Sequence, residues 1–545
     1  MRSLIRLLFE ERPFWGTATI FLLGTAVFSL GALFIAPSEV FYTDAAIEML
    51  KTGDYLTPYF NNHLRFQKPI LTYWWTAAGF HLFGVSFWSA RLPFLVGGLG
   101  LLYLTYQTSL LIWTKEKKLA ALAALILSVH PLLILSASRS MPDMPLVFYT
   151  SLGLYGAIGM IKSVRPPLLF TYIFYVGFAL SVATKGVPGL ILCVLTFLYL
   201  LVNPWQRVRW QILLSPVPLL LGLLIAFGWY AYVYVRHEEA FLLQFFKDQV
   251  GGRVVKDPYR LWTNSGRFLL TLCYALPFLA LVGWRFALWK GWWERQGATA
   301  KSFVGIGVLW FLFFAITAPF FLVFYDRYIF SMIPLQSLVF ASLIYTIPQL
   351  SVDKMAYRLV AFVYAITFLS FLFAFYIFIN YWIVLFVLLV NLLFILFFVF
   401  LKAYPHWRIG VLLLGVYLNV GGMIAPIVHP EAEKEAAQVL LTDYAEELAT
   451  HRLIFVEWER ATAKFNLATY GKLRFERIED WRKIDAISEP KLLLLPEDRL
   501  YLLDSLSGNY TTKQVAIRYK ALQSHAWLWD RIALPDYKLF VAREE

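Results

Sequence analysis

Cysteine is almost absent. Cys193 and Cys273 are the only two in 545 residues, and both fall inside apolar runs, which excludes a disulfide framework. Charge is scarce, at 15% of residues, and no ionisable side chain falls at the middle of a predicted span. A carrier of ions or protons needs buried ionisable groups along its path, so this gap counts against transport. His130, just before Pro131, comes nearest to an exception and reads as a packing residue. The sequence shows no nucleotide-binding glycine motif, no cluster with metal-ligand spacing, no internal repeat and no low-complexity linker. Its apolar runs are unbroken rather than alternating, which argues against a β-barrel. The basic start, MRSLIRLLFEERPFW, leads into a full-length apolar run without a convincing small-residue cleavage site, so a first span is expected there rather than a signal peptide.

What the chain has is hydrocarbon. It is 60% hydrophobic and 18% aromatic, with a mean hydropathy of +0.63. That composition predicts a polytopic α-helical membrane protein. Thirteen spans are expected, near 15–36, 89–112, 119–138, 144–161, 168–184, 187–202, 212–235, 267–289, 303–324, 328–347, 359–379, 381–401 and 409–427. With the N-terminus inside, the cytoplasmic links are short and basic, as in WTKEKK, NPWQRVRW and KAYPHWR. The net charge of +13 is therefore topological, and nucleic acid is not expected as a partner. Residues 1–427 are expected to form the catalytic membrane domain, with a first external loop at 37–88. From Val428 the composition shifts to a soluble α/β domain, 428–545. It has an amphipathic helix in EAEKEAAQVLLTDYAEELAT and strands in LIFVE, KLLLL and DYKLFVA.

The first polar interruption, from Pro37 to Pro69, is the most informative stretch. Thr43 is placed to cap a short helix with Asp44 in its first turn; Ala46, Ile47, Met49 and Leu50 give that helix an apolar face, and Gly53 ends it. A second helix is expected from Pro69. Lys68 then stands beside a helix N-terminus, where backbone N–H groups, dipole and ammonium all favour an anion such as phosphate. The alternative is a lysine that only snorkels to lipid headgroups.

The remaining ionisable groups gather at one level, the outer ends of the spans. Glu39 and Asp143 are carboxylates there; Lys68, Arg139, Lys185, Arg253 and Arg327 are cations, with Tyr325 and Tyr328 as hydroxyl donors. Cations outnumber carboxylates, which fits a phosphate-bearing ligand, while anchoring at helix ends is the alternative for each of them.

In this setting the motifs APSEVFYTDAAIEML, GDYLTPY, FQKPILTYW, HLFGVSFWSARLP, SRSMPDMPLVFY, ATKGVPG, FFKDQVGGR and RYIFSMIPL resemble those of the ArnT-like branch of GT-C glycosyltransferases, related to protein O-mannosyltransferases. The resemblance implies transfer of a sugar, with inversion, from a polyprenyl monophosphate donor to lipid A or a related lipopolysaccharide acceptor, at the periplasmic face of a bacterial inner membrane. It implies that Glu39 matches the glutamate of the family's Asp-Glu pair. Lys68 matches the lysine of a (Phe/Tyr)-Glu-Lys-Pro motif, Asp143 the acid after span three, and Tyr328 a tyrosine of the last periplasmic turn. Lys185 and Arg253 match basic positions that hold phosphate. The expected roles are catalytic for Glu39, Asp143 and Lys68, and donor-phosphate binding for Lys68, Lys185, Arg253, Arg327 and Tyr328. Two positions depart from the pattern. Ser38 stands where the family has an aspartate base, which suits an acceptor phosphate that is already ionised, the alternative being that Glu39 or Asp143 takes over as base. Gln67 stands where it has a glutamate, so neither a metal nor another cofactor is expected. Membrane lipids are expected as surroundings, and a monomer as the working unit. The alternatives are a protein O-glycosyltransferase of the same superfamily and a glycolipid flippase or transporter.

Overall fold

The computed structural model describes residues 13–29, 38–246, 257–272, 286–346, 432–456, 480–518 and 537–544, apart from single gaps at 62 and 115, together with short pieces between 361 and 415 and between 466 and 478. The expected spans at 359–379, 381–401 and 409–427 and most of that at 267–289 lie outside the described residues, as does the expected boundary at 427.

Helices dominate. In order they are α1 (Pro13–Ser29), α2 (Val40–Thr52), α3 (Leu71–Phe83), α4 (Phe87–Ile112), α5 (Lys117–Ser128), α6 (Pro131–Ala137), α7 (Asp143–Lys162), α8 (Leu168–Lys185), α9 (Val187–Val202), α10 (Pro216–Phe246), α11 (Pro258–Leu272), α12 (Phe286–Arg295), α13 (Ala298–Thr317) and α14 (Ile333–Thr346). Among the described residues six helices are long and apolar enough to cross a membrane, seven if the bent pair α5–α6 is one span. The third expected span, 119–138, is therefore not one straight helix: α5 and α6 meet at 70°. Pro131 takes the first position of α6, and His130 Nδ1 accepts the Leu132 N–H, so the break carries its own cap. α10 is kinked at Glu238 (φ +37°, ψ −109°), where its membrane-length part Pro216–Glu238 ends, and α11 begins at Pro258.

The bundle is held by close helix crossings. A methyl on Gly177 of α8 would run into the backbone of Gly153 on α7, and one on Gly156 into the backbone of Phe170 and Phe174. Small residues at the crossing let two membrane helices approach to dispersion distance where no hydrophobic force drives them together.

The first loop folds as expected in outline but starts a turn early. α2 begins at Val40, so Thr43 is not its cap; the Thr43 hydroxyl bonds back to the Glu39 and Val40 carbonyls. Gly53 ends α2 with its N–H on Met49 O at 2.9 Å. A small hairpin, β1 (Tyr59–Phe60) and β2 (His63–Leu64), follows, and α3 starts at Leu71 rather than Pro69.

At the C-terminal end, α15 (Ala432–Asp443) packs on a five-stranded mixed sheet. Its strands are β3 (Arg452–Val456), β4 (Glu476–Ile478), β5 (Lys491–Pro496), β6 (Tyr510–Arg518) and β7 (Tyr537–Glu544), in the order β4-β3-β5-β7-β6. β3 runs parallel to β4 and β5; β7 runs antiparallel to β5 and β6. Leu453, Phe455, Leu492 and Leu494 face α15, while Ile454, Leu493 and Leu495 fill the opposite face. Central strands covered on both faces read as unbroken apolar runs, as LIFV and LLLL do. Leu467 from this end joins Val40, Ala46, Ile47 and Phe80 in one cluster, so the sheet region rests on the first loop.

Candidate active site

α7 and α8 are antiparallel neighbours, which brings the first residue of one beside the last residue of the other. Asp143 opens α7 and Lys185 closes α8, each with the charge its helix end favours. Lys185 Nζ lies 2.5 Å from Asp143 Oδ1, and both side chains are buried. Gly186, at φ +75°, makes the reversal into α9, a conformation that side chains with a Cβ seldom adopt. Arg327, from the 3₁₀ turn Asp326–Met332, reaches Asp143 Oδ2 at 3.9 Å. Tyr328 sits under Lys185, its ring centroid 5.3 Å from Nζ, and Tyr325 sits 4.7 Å from the Arg327 guanidinium carbon. Lys68 lies within electrostatic reach of Asp143.

A second ion pair adjoins the first. Arg91, on α4, forks onto Glu39 with Nε–Oε1 and Nη2–Oε2 both at 2.9 Å, and the Ser140 N–H adds a third bond to Oε1 at 2.9 Å. Burial alone would raise the Glu39 carboxyl, but the charge and hydrogen bonds of Arg91, with the Ser140 N–H, carry it below the ordinary carboxylate range. Glu39 thus fixes the 138–142 turn that leads into Asp143. Arg139, in the same turn, lies within electrostatic reach of both Glu39 and Arg327. Lys68, Arg91, Arg139, Lys185 and Arg327, set against Glu39, Asp143 and Asp326, leave an excess of two positive charges.

The sequence-predicted residues fall as follows. Asp143, Lys185, Arg327 and Tyr328 form one cluster, with Lys68 beside it. Glu39 lies one hydrogen bond away, through Ser140, with its oxygens engaged by Arg91. Arg253 lies outside the described residues. Ser38 and Gln67 are both half-buried.

Four members of this neighbourhood were not singled out by sequence: Arg91, Arg65, Tyr42 and Tyr73. Tyr42 and Tyr73 pack with ring centroids 5.3 Å apart, and both phenols are buried, which raises them. Tyr42 lies within electrostatic reach of Tyr73, Arg65, Asp143 and Arg327. No residue spacing announces such partners. Arg91 and Glu39 are 52 positions apart, and each arginine looks like an ordinary interfacial anchor.

Residues 14–242 match the family of dolichyl-phosphate-mannose-protein mannosyltransferases. An uncharacterised protein of Aquifex aeolicus is 33% identical over 39% of this chain and 42% of its own length. An undecaprenyl phosphate-alpha-4-amino-4-deoxy-L-arabinose arabinosyl transferase of Pseudomonas fluorescens is 30% identical over 51% of this chain and 46% of its own length. The chain thus spans about half the length of the curated relatives it matches. The crystal structure of ArnT from Cupriavidus metallidurans bound to undecaprenyl phosphate superposes with a TM-score of 0.73 over 96% of each chain, at 19% identity. The chain resembles the ArnT-like GT-C glycosyltransferases, in sequence over its first half and in fold along nearly its whole length.

Proposed function

We propose that the protein is a membrane glycosyltransferase that moves a sugar from a polyprenyl monophosphate to lipid A or a related lipopolysaccharide acceptor, at the periplasmic face of a bacterial inner membrane. The observation that carries this reading is the buried Asp143–Lys185 pair with Arg327 and Lys68 around it, a cluster left with excess positive charge at one end of the bundle. The relative that holds undecaprenyl phosphate in the same fold supports the donor class. The acceptor follows from resemblance alone.

In this reading an acceptor oxygen attacks the anomeric carbon from the face opposite the phosphate. The bond between that carbon and the phosphate oxygen breaks, its electron pair leaves with the phosphate, and the configuration inverts. Lys68, Lys185, Arg327 and Tyr328, with Arg253 from outside the described residues, stabilise the charge that grows on the leaving phosphate. Asp143 holds Lys185 and Arg327 at their spacing. Its Oδ2, with Arg327 no closer than 3.9 Å, retains capacity to receive a hydrogen bond or proton from the acceptor. Glu39 positions the turn before Asp143. Ser38, in the place of an aspartate base, suits an ionised acceptor phosphate. Residues 428–545 act as an α/β domain over the site, and the prenyl and acyl chains enter sideways from the bilayer.

The test is reconstitution in nanodiscs with polyprenyl-phosphate-linked sugars and lipid A, with mass spectrometry of the lipid product. Lys68→Ala should abolish transfer while the protein still inserts and unfolds at the wild-type temperature. Wild-type turnover in that variant would remove Lys68 from the mechanism, and uptake of the donor without a covalent product would favour a flippase.

A further inference from the structure

Arg65 carries a charge that the mechanism above does not use. The β1–β2 hairpin delivers it inward, with its own N–H on Pro58 O at 2.9 Å, and only 8% of the residue is exposed. Among the described residues no carboxylate pairs with it, and its Nε has no hydrogen-bond partner. Its planar face is occupied: the Phe41 ring centroid lies 4.0 Å from the guanidinium carbon and that of Phe60 at 5.7 Å. Stacking on an aromatic ring satisfies the face of a guanidinium and leaves its edge untouched, although all five donors point along that edge. Next to this edge is the buried phenol of Tyr73, which lies within the reach of the Arg65 charge and side chain and whose hydroxyl, like Arg65 Nε, makes no well-formed hydrogen bond to any described group. A buried cation faced by a phenol and by no carboxylate among the described residues is costly unless an anion completes the site.

We infer that Arg65 and Tyr73, with Tyr42 alongside, form a second oxyanion subsite that receives an anionic oxygen group of a substrate, separate from the cluster around Asp143. Tyr42 connects the two, lying within electrostatic reach of Arg65 and of Asp143 and Arg327. Two sources would present this chemistry: a carboxylate on the transferred sugar, or a phosphate on the acceptor. Assigning the anion to either substrate rests on the glycosyltransfer reading; the existence of the subsite does not.

The full-length protein in nanodiscs is titrated with sodium glucuronate, inorganic phosphate and, as a neutral control, glucose, and its unfolding temperature is followed. Arg65→Met removes the charge while keeping an apolar stem for Phe41; Arg65→Lys keeps the charge but not the fork. Phosphate is titrated in a Lys185→Met background, which empties the donor cluster of its buried cation. The expected result is an upward shift with one of the two anions and none with glucose, lost in Arg65→Met and partly kept in Arg65→Lys. A glucuronate response assigns the subsite to a sugar carboxylate, a phosphate response to a phosphate group. In transfer assays Arg65→Met should then lose roughly tenfold or more in kcat/KM for the substrate bearing that anion, with its neutral counterpart unaffected. Equal shifts in wild type and Arg65→Met, or no anion response in either, would overturn the subsite and leave Arg65 as a stacked structural residue. Wild-type protein that shows the anion response and yet transfers no sugar would sink the glycosyltransferase reading and spare the subsite.

Discussion

Lys185 Nζ and Asp143 Oδ1, 2.5 Å apart, tie the last residue of one membrane helix to the first residue of its neighbour. The pair does two separable things. It joins α7 to α8, and it supplies one of the cations proposed to meet the donor phosphate.

The two contributions predict different outcomes. Removing one partner of a buried ion pair strands the other, at a cost of about 3–5 kcal/mol. Lys185→Met and Asp143→Asn should therefore each lower the unfolding temperature in detergent. The double variant removes both members of the pair, leaves Arg327 without only its longer 3.9 Å contact, and should recover most of that loss, a coupling visible in a double-mutant cycle. Transfer should be lost in Lys185→Met and in the double variant alike, because neutralising the pair restores packing without restoring that cation for the phosphate. A double variant as unstable as the sum of the singles would show that the pair does not bridge the helices.

The fold was legible where burial demands a uniform sequence. Runs such as PLVFYTSLGLYGAIGM and LLFTYIFYVGFALSVA have nothing else to become, and α7 and α8 begin and end within about a residue of expectation. The break between α5 and α6 was not legible, because its two signals, a proline and a capping histidine, sit inside a run that is apolar enough to span. In the sheet, β3, β5 and β7 were read from apolar runs. β4 and β6 were missed because edge strands are polar: ERI is three residues long, and YTTKQVAIR carries a bulge at Gln514 and Ala516. In the site, Lys68, Asp143 and Lys185 stood out as charges at the ends of greasy helices. Arg91 did not, because its meaning depends on Glu39, which reaches it through the fold alone.

Asp44 supplies a pH prediction. It is buried on α2, where its oxygens accept the Asn61 N–H at 3.0 Å and Asn466 Nδ2 at 2.8 Å. Burial pushes its carboxyl up to about 6, against the two hydrogen bonds; Glu48 adds to the rise and Lys51 opposes it. A folded-state value above the unfolded one means that the native state binds the proton more tightly. The stabilisation is complete below the unfolded value near 3.8 and is lost as pH rises through about 6. A gap of about two pH units corresponds to roughly 3 kcal/mol. Unfolding measured from pH 4 to 8 should show this loss, and Asp44→Asn should flatten it. Asn466→Asp should place two carboxylates together and loosen the C-terminal sheet from the first loop. Adding Asp44→Asn to it should restore the contact with donor and acceptor exchanged, helped by Lys51, whose Nζ is 3.4 Å from Asn466 Oδ1. Limited proteolysis of the junction reads this directly, and a swap that is no better protected than Asn466→Asp would refute the clasp.

Asn264 supplies the last prediction, since it holds the segment that presents Tyr325, Arg327 and Tyr328. It is buried on α11, where its Nδ2 donates to Pro319 O at 3.3 Å and Phe321 O at 2.5 Å while its Oδ1 accepts the Phe324 N–H at 2.9 Å. One amide thus closes three backbone groups in and just after the 3₁₀ turn Ala318–Phe320, immediately before the cations of the site. Aspartate at this position retains the acceptor and loses both donors, placing a carboxylate against two carbonyl oxygens. Leucine retains the volume and loses all three bonds, at about 1–3 kcal/mol for each backbone group left buried and unpaired. Both Asn264→Asp and Asn264→Leu should raise the KM for the prenyl-linked donor more than they lower kcat, since Arg327 and Tyr328 act on the phosphate and Asn264 touches neither substrate. Asn264→Gln, with the same chemistry on a longer stem, should recover part of the donor affinity. If all three variants lose stability in parallel while donor KM stays at the wild-type value, Asn264 is a packing residue and the turn is held by its apolar contacts instead.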